Sequence, residues 1–85
     1  MNNNENEISK NVFISSDFTL VTLLSIYFPI FSIDKSNPKR IVFAFERSPK
    51  LKEIVKKYIR REITIEPQIF TSQERFIKTQ IYSYL

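Results

Sequence analysis

The chain contains no cysteine, histidine, glycine or tryptophan, and these absences exclude several classes of function. Without Cys and His it has no disulfide framework, no thiol nucleophile, no imidazole base and none of the usual zinc ligands. Without Gly it has neither a P-loop nor the G-x-G-x-x-G turn of dinucleotide-binding domains. Its carboxylates and tyrosines occupy positions typical of helix caps and packing. We therefore predict that the protein is not an enzyme and has no cofactor and no metal site.

What is present is enough for one small domain. The chain has 85 residues, of which 42% are hydrophobic and 26% charged, and single domains usually have at least ~50 residues. Residues 1–11 are polar and rich in Asn, with little apolar surface to offset the entropy cost of ordering. We predict a disordered polar tail over residues 1–11 and a single α+β domain over residues 12–85.

No long hydrophobic run suggests a membrane segment. The longest uncharged stretch, residues 18–33, has sixteen residues and contains Pro29, whereas a membrane-spanning helix needs ~20 apolar residues. The residues before it are polar and acidic, unlike the basic start of a secretory signal. We expect a soluble, cytoplasmic protein that does not contact membranes.

The first half of the chain predicts strands around a buried helix. Residues 11–15 form a short β-type run, and residues 17–28 are apolar over most of a helical circumference, which is typical of a largely buried helix. Pro29 ends this helix because it lacks a backbone donor. Residues 30–34 and 40–46 then predict two strands of a hairpin.

The second half predicts two further helices. Residues 49–61 match the amphipathic template after the N-cap Ser48, and residues 62–66 alternate like a short strand. A final helix extends over residues 67–84, with a capping box at residues 71–74 that allows it to restart at Ser72.

The predicted order β-α-β-β-α-β-α indicates a single small α+β domain. We expect three helices and a mainly antiparallel sheet of three to four strands. The first six elements have the connectivity of the ferredoxin-like split βαβ unit. A sheet of three strands with an unpaired fourth segment is the alternative.

Positive charge is concentrated in one segment. Residues 39–61 contain nine Lys and Arg and two Glu, a net charge of +7, while the other four cations and seven anions give −3. On the helix over residues 49–61 the cations lie opposite the apolar side, a surface that can follow a phosphate backbone. We therefore predict DNA or RNA binding by an accessory protein. The candidate residues are Lys39, Arg40, Lys50, Lys52, Lys56, Lys57, Arg60 and Arg61.

Two alternatives remain open at this point. The first is that the cations only form the solvated side of the helix. An amphipathic helix always needs a polar side, and a composition with thirteen Ile, eight Lys and one Ala is typical of an A/T-rich genome that fills such a side with Lys. The other is a protein-interaction or self-association module that uses the C-terminal helix over residues 67–85, where Tyr82, Tyr84 and Leu85 would leave apolar surface uncovered.

The order of apolar and capping residues resembles a known family. The residues of this chain that carry the resemblance are Phe13-Ile14-Ser15-Ser16-Asp17, residues 40–46, Glu66-Pro67, and Lys78 and Tyr82 in the final helix. This pattern is similar to the family DUF5659, a domain of unknown function, over about residues 12–84. The resemblance implies a compact α+β module of prokaryotic, phage or mobile-element origin, with no activity or catalytic residue to transfer. Members tend to have a glycine where this chain has Arg61-Glu62.

Overall fold

The fold combines three short strands with three helices. A computed structural model describes residues 11–82 of the chain. Its elements are β1 (Val12–Ser15), α1 (Phe18–Tyr27), β2 (Ser32–Asp34), β3 (Val42–Glu46), α2 (Pro49–Ile59) and α3 (Pro67–Tyr82). The predicted α+β class is confirmed, with each predicted helix present and its ends within a few residues.

The sheet has the order β1-β3-β2, and both pairs are antiparallel. Phe43 of β3 lies opposite Ser15 of β1 and Ile33 of β2, and Phe45 lies opposite Phe13. Because β3 is antiparallel to both neighbours, β1 and β2 are parallel to each other, with α1 connecting them. This is a split βαβ arrangement with β3 inserted between its two strands.

The prediction of a fourth strand at residues 62–66 is wrong, and the three-stranded alternative is confirmed for the described residues. Ile63 and Ile65 are half-buried against the core and Thr64 is exposed, so the alternation is real. The two isoleucines border a cavity that also contacts Leu23 of α1 and Phe70 of α3. The segment therefore packs against helices instead of pairing with a strand.

Helix α1 lies at the centre of the molecule. It begins after Asp17, whose Oδ1 accepts a hydrogen bond from the backbone N–H of Leu20 at 3.2 Å. Five consecutive residues, Leu20 to Leu24, are buried, because the helix contacts the sheet, α2 and α3 together. Thr22 is the polar member of that run, and its Oγ1 donates to the backbone carbonyl of Phe18 at 2.8 Å. The local bond offsets the cost of burying a hydroxyl.

Helix α3 packs on α1 and is continuous from Pro67, so the predicted single helix is confirmed and the alternative of a restart at Ser72 is not adopted. Its first turn is capped by Glu66, whose Oε1 accepts from the N–H of Ile69 at 2.8 Å. Thr71 lies inside the helix, and its Oγ1 donates to the Pro67 carbonyl at 2.8 Å instead of capping a new turn. At the other end, Lys35 Nζ donates to the carbonyls of Gln80 and Ile81 at 2.8 and 3.0 Å, a favourable position for a cation at a helix C-terminus.

The predicted tail over residues 1–11 lies outside the described residues except for Asn11. Among residues 11–82, none of the three helices combines the length and the apolar character that crossing a membrane requires.

Candidate nucleic-acid interface on helix α2

The local sequence fixes which side of α2 faces solvent. Ser48 Oγ accepts a hydrogen bond from the N–H of Leu51 at 3.1 Å, and Pro49 occupies the first turn, where its missing donor costs nothing. Leu51 is buried, and Ile54 and Val55 are half-buried against the core. Because these residues hold one side of the helix inward, the cations on the opposite side face outward.

Six cations at exposed positions form what we call the α2 basic face. In the part of the chain that the structure describes, Lys57 has an ion pair with Glu53, with 3.9 Å between Nζ and Oε2. The other five have no side-chain hydrogen bond or ion pair within residues 11–82. The face consists of Lys50, Lys52, Lys56, Lys57, Arg60 and Arg61.

The last two arginines are placed by an unusual helix end. Arg60 is the C-cap that follows the last residue of α2, and Arg61 has a φ of 61°, in the left-handed region that glycine usually occupies. The N–H of Arg61 donates to the Tyr58 carbonyl at 3.0 Å and that of Glu62 to the Lys57 carbonyl at 2.9 Å, which is the Schellman pattern. The backbone thus turns sharply at Arg61, where a glycine would have a lower conformational free energy because it has no Cβ.

Lys39 and Arg40 belong to a second basic cluster. They lie in the β2–β3 connection, where the N–H of Lys39 donates to Asn37 Oδ1 at 3.0 Å. Both border a cavity of about 420 Å³ that Lys78 and Tyr82 of α3 also line, and no residue of α2 lines it. The structure therefore brings them beside the end of α3.

Lys78 is a member of this second cluster that sequence reasoning did not select as a binding residue. Its Nζ lies 5.8 Å from the centroid of the Phe18 ring, within cation–π range. No local pattern indicates this neighbourhood, because Lys78 is 38 positions from Arg40 along the printed sequence.

Of the residues predicted to bind a protein partner, Tyr82 is exposed, with 64% of its surface accessible. Tyr84 and Leu85 lie outside the described residues. On a helical wheel Tyr82 lies away from the other exposed apolar side chains of α3, Ile69 and Phe76. These two are seven residues apart and share one side of the helix, so Tyr82 is separate from that strip.

A groove beside the α2 basic face was also missed. It has a volume of about 650 Å³ and lies between β1 and α2. Its apolar residues are Phe13, Pro49, Leu51 and Val55, and Lys52 and Lys56 lie along it. Residues 62–66 do not form a strand beside β1, so no fourth strand covers the β1 side of this groove.

Tyr58 connects the inner side of α2 to the start of α1. Its hydroxyl donates to Asp17 Oδ2 at 3.1 Å, so that Asp17 is both helix cap and acceptor. Partial burial raises the pKa of the Tyr58 hydroxyl, and the bond to the Asp17 carboxylate and its charge raise it further. The pair keeps Tyr58 protonated and holds the two helices together, a structural role.

Comparison with known proteins gives one match. The model of the family described as "Domain of unknown function (DUF5659)" matches residues 10–83. No curated protein and no solved structure was found that matches the chain.

Proposed function

The chain belongs to the DUF5659 family, a domain of unknown function, and on this premise we propose that it is a non-enzymatic accessory protein that binds nucleic acid through the α2 basic face. One observation carries the proposal. Four exposed cations lie on the solvent side of α2 and two more directly follow its last residue, and within residues 11–82 only Lys57 among the six has an ion pair.

This arrangement suits a phosphate backbone more than base edges. The eleven residues of α2 extend over ~16 Å at 1.5 Å per residue, and duplex DNA has about one charge per 1.7 Å of axis. Lys and Arg at such spacing neutralise phosphates and release counterions, which gives affinity without sequence preference. We therefore expect salt-sensitive, sequence-tolerant binding.

The proposal includes a cellular setting. An Ile- and Lys-rich composition with a single Ala is typical of an A/T-rich genome. Together with what the family resemblance implies, we propose a cytoplasmic protein of a prokaryote, phage or mobile element.

The decisive experiment reverses charge in the middle of the face. Lys56→Glu with Arg60→Glu lowers the net charge by four. Arg75→Glu with Gln68→Glu and Ser72→Glu, at exposed positions of α3, makes the same change in charge elsewhere. We expect the α2 variant to lose at least tenfold in affinity for a labelled oligonucleotide at ~50 mM salt, and the α3 variant to lose much less. Fluorescence anisotropy measures the affinity, and far-UV circular dichroism checks the fold.

The salt dependence tests the same proposal independently. The slope of log affinity against log salt should become shallower in the α2 variant, because fewer counterions are released. Equal losses in the two variants would mean that only bulk charge matters. No binding by the unaltered protein at ~50 mM salt would show that the face is merely solvated.

Self-association through α3 is a second candidate, supported by the strip of Ile69 and Phe76. Their side chains are 53% and 52% exposed and lie on the same side of the helix. If this strip binds a second copy, Ile69→Gln with Phe76→Gln should reduce the mass measured by sedimentation at high protein concentration. Tyr82→Gln is the matched control, since Tyr82 lies on another side. A monomeric mass for all three proteins argues against self-association.

A further inference from the structure

The outer edge of β1 is open. The N–H of Arg47 donates to the carbonyl of Asn11 at 2.8 Å, which continues the register in which Phe13 lies opposite Phe45. Antiparallel ladders alternate between bonded and non-bonded pairs, so the backbone groups of Val12 and Ile14 face away from β3. No strand among residues 11–82 lies beside this edge.

The edge adjoins the groove between β1 and α2. Phe13, Leu51 and Val55 provide apolar surface there, at the position where a fourth strand of a split βαβ fold would place its inward side chains. The Val12 carbonyl accepts a hydrogen bond from Arg47 Nε at 2.8 Å, whereas the Val12 N–H and the backbone groups of Ile14 have no hydrogen-bond partner within residues 11–82. The site therefore combines outward-facing backbone groups with a groove for alternate side chains.

The charge of the groove indicates what kind of strand fits. Arg47, Lys52 and Lys56 line it, and among residues 11–82 no carboxylate does. Arg47 is held in place by the bond from its Nε to the Val12 carbonyl at 2.8 Å. A second copy pairing edge to edge would bring two such cationic rims together, an unfavourable arrangement. Acidic side chains are the complementary partners.

We propose that the β1 edge and this groove bind an extended acidic peptide segment of another protein as an added strand. The four residues of β1 allow a paired segment of similar length. Successive side chains of a strand point to opposite faces, so every second side chain enters the groove, and acidic side chains at those positions meet the cations that line it. This proposal goes beyond nucleic-acid binding and does not depend on it.

The first test uses a fluorescein-labelled ten-residue peptide of alternating Glu and Val. Lys52→Glu with Lys56→Glu should weaken its binding at least tenfold, because both side chains line the groove. Lys50→Glu with Lys57→Glu makes the same change in charge, but neither residue lines the groove, and the affinity should stay within about threefold. Equal losses in the two variants would overturn the proposal.

The second test separates strand pairing from simple charge attraction. In an added strand the N–H groups of all Val residues face one edge and those of all Glu residues face the other. N-methylation of one set should therefore abolish binding, whereas N-methylation of the other set should be tolerated. Equal effects of the two methylated peptides would overturn the proposal.

Two further outcomes would identify other occupants. If a ten-residue oligothymidylate displaces the peptide and neither methylation matters, the groove belongs to the nucleic-acid interface. If the peptide fails to bind and the protein sediments as a dimer that an Ile14→Lys substitution at the open edge dissociates, the occupant is a second copy. Either result overturns the proposal.

Discussion

At the scale of single residues, Arg61 is the position where the chain departs most clearly from what its backbone prefers. Its φ of 61° places a Cβ in the left-handed region, at a cost of ~1 kcal/mol or more relative to glycine. We expect Arg61→Gly to raise the free energy of unfolding by about 0.5–1 kcal/mol, measured by urea denaturation.

Arg61→Ala is the control for that substitution. It removes the same side-chain charge but keeps a Cβ, so it should give little or none of the stabilisation. If Ala and Gly stabilise the protein equally, the cause is the removed charge and not the backbone. The Gly variant also tests whether Arg61 itself contacts nucleic acid, since it should bind more weakly while being more stable.

The Tyr58 hydroxyl predicts a change of stability with pH. At neutral pH we expect Tyr58→Phe to cost about 0.5–1.5 kcal/mol, the usual net value of one hydrogen bond, here to Asp17 Oδ2. Because the pKa of Tyr58 is raised in the folded protein, the contribution is complete below the unfolded pKa of ~10 and is lost as pH rises through the folded pKa.

Urea denaturation between pH 7 and 11 measures this effect. The difference in unfolding free energy between the unaltered protein and Tyr58→Phe should shrink above pH ~10. Tyr27→Phe is a suitable control, since Tyr27 is 52% exposed and its hydroxyl has no hydrogen bond within residues 11–82. A constant difference across the range would mean that the Asp17 contact contributes nothing.

At the scale of elements, residues 62–66 show what an alternating pattern can and cannot predict. Alternation indicates that an extended segment is buried on one side, and Ile63 and Ile65 are indeed half-buried. We expect Ile65→Ala to lower the free energy of unfolding by about 1–2 kcal/mol, less than for a fully buried isoleucine. Thr64→Ala should change it by less than about 0.5 kcal/mol, since Thr64 is exposed. Equal effects in urea denaturation would contradict this packing.

Which features the sequence could predict depended on how far apart the interacting residues are. The cap at Ser48 and the inward side of α2 depend on residues within a few positions, and both were predicted. Strand pairing depends on distant partners, so alternation alone could not show that residues 62–66 turn to the helices. For the same reason the groove beside β1 and the place of Lys78 next to Arg40 were not predicted.

At the scale of the whole molecule, the position of each charge on α2 matters more than the net charge of +4. Lys50 lies in the first turn, where the helix dipole disfavours a cation, and that turn has no acidic residue. Lys57 lies in the last turn, where a cation is favoured, and it pairs with Glu53. The helix thus keeps one cation that opposes its own stability, a departure that proteins often reserve for function.

Lys50→Glu and Lys57→Glu lower the net charge equally, yet we expect opposite effects on stability. At low salt Lys50→Glu should raise the free energy of unfolding by about 0.3–1 kcal/mol, and Lys57→Glu should lower it by a similar amount. Both differences should decrease towards zero near ~1 M salt in urea denaturation. Shifts of the same sign would mean that net charge controls stability. If Lys50→Glu also weakens oligonucleotide binding while it stabilises the protein, the cation is retained for its ligand and not for the fold.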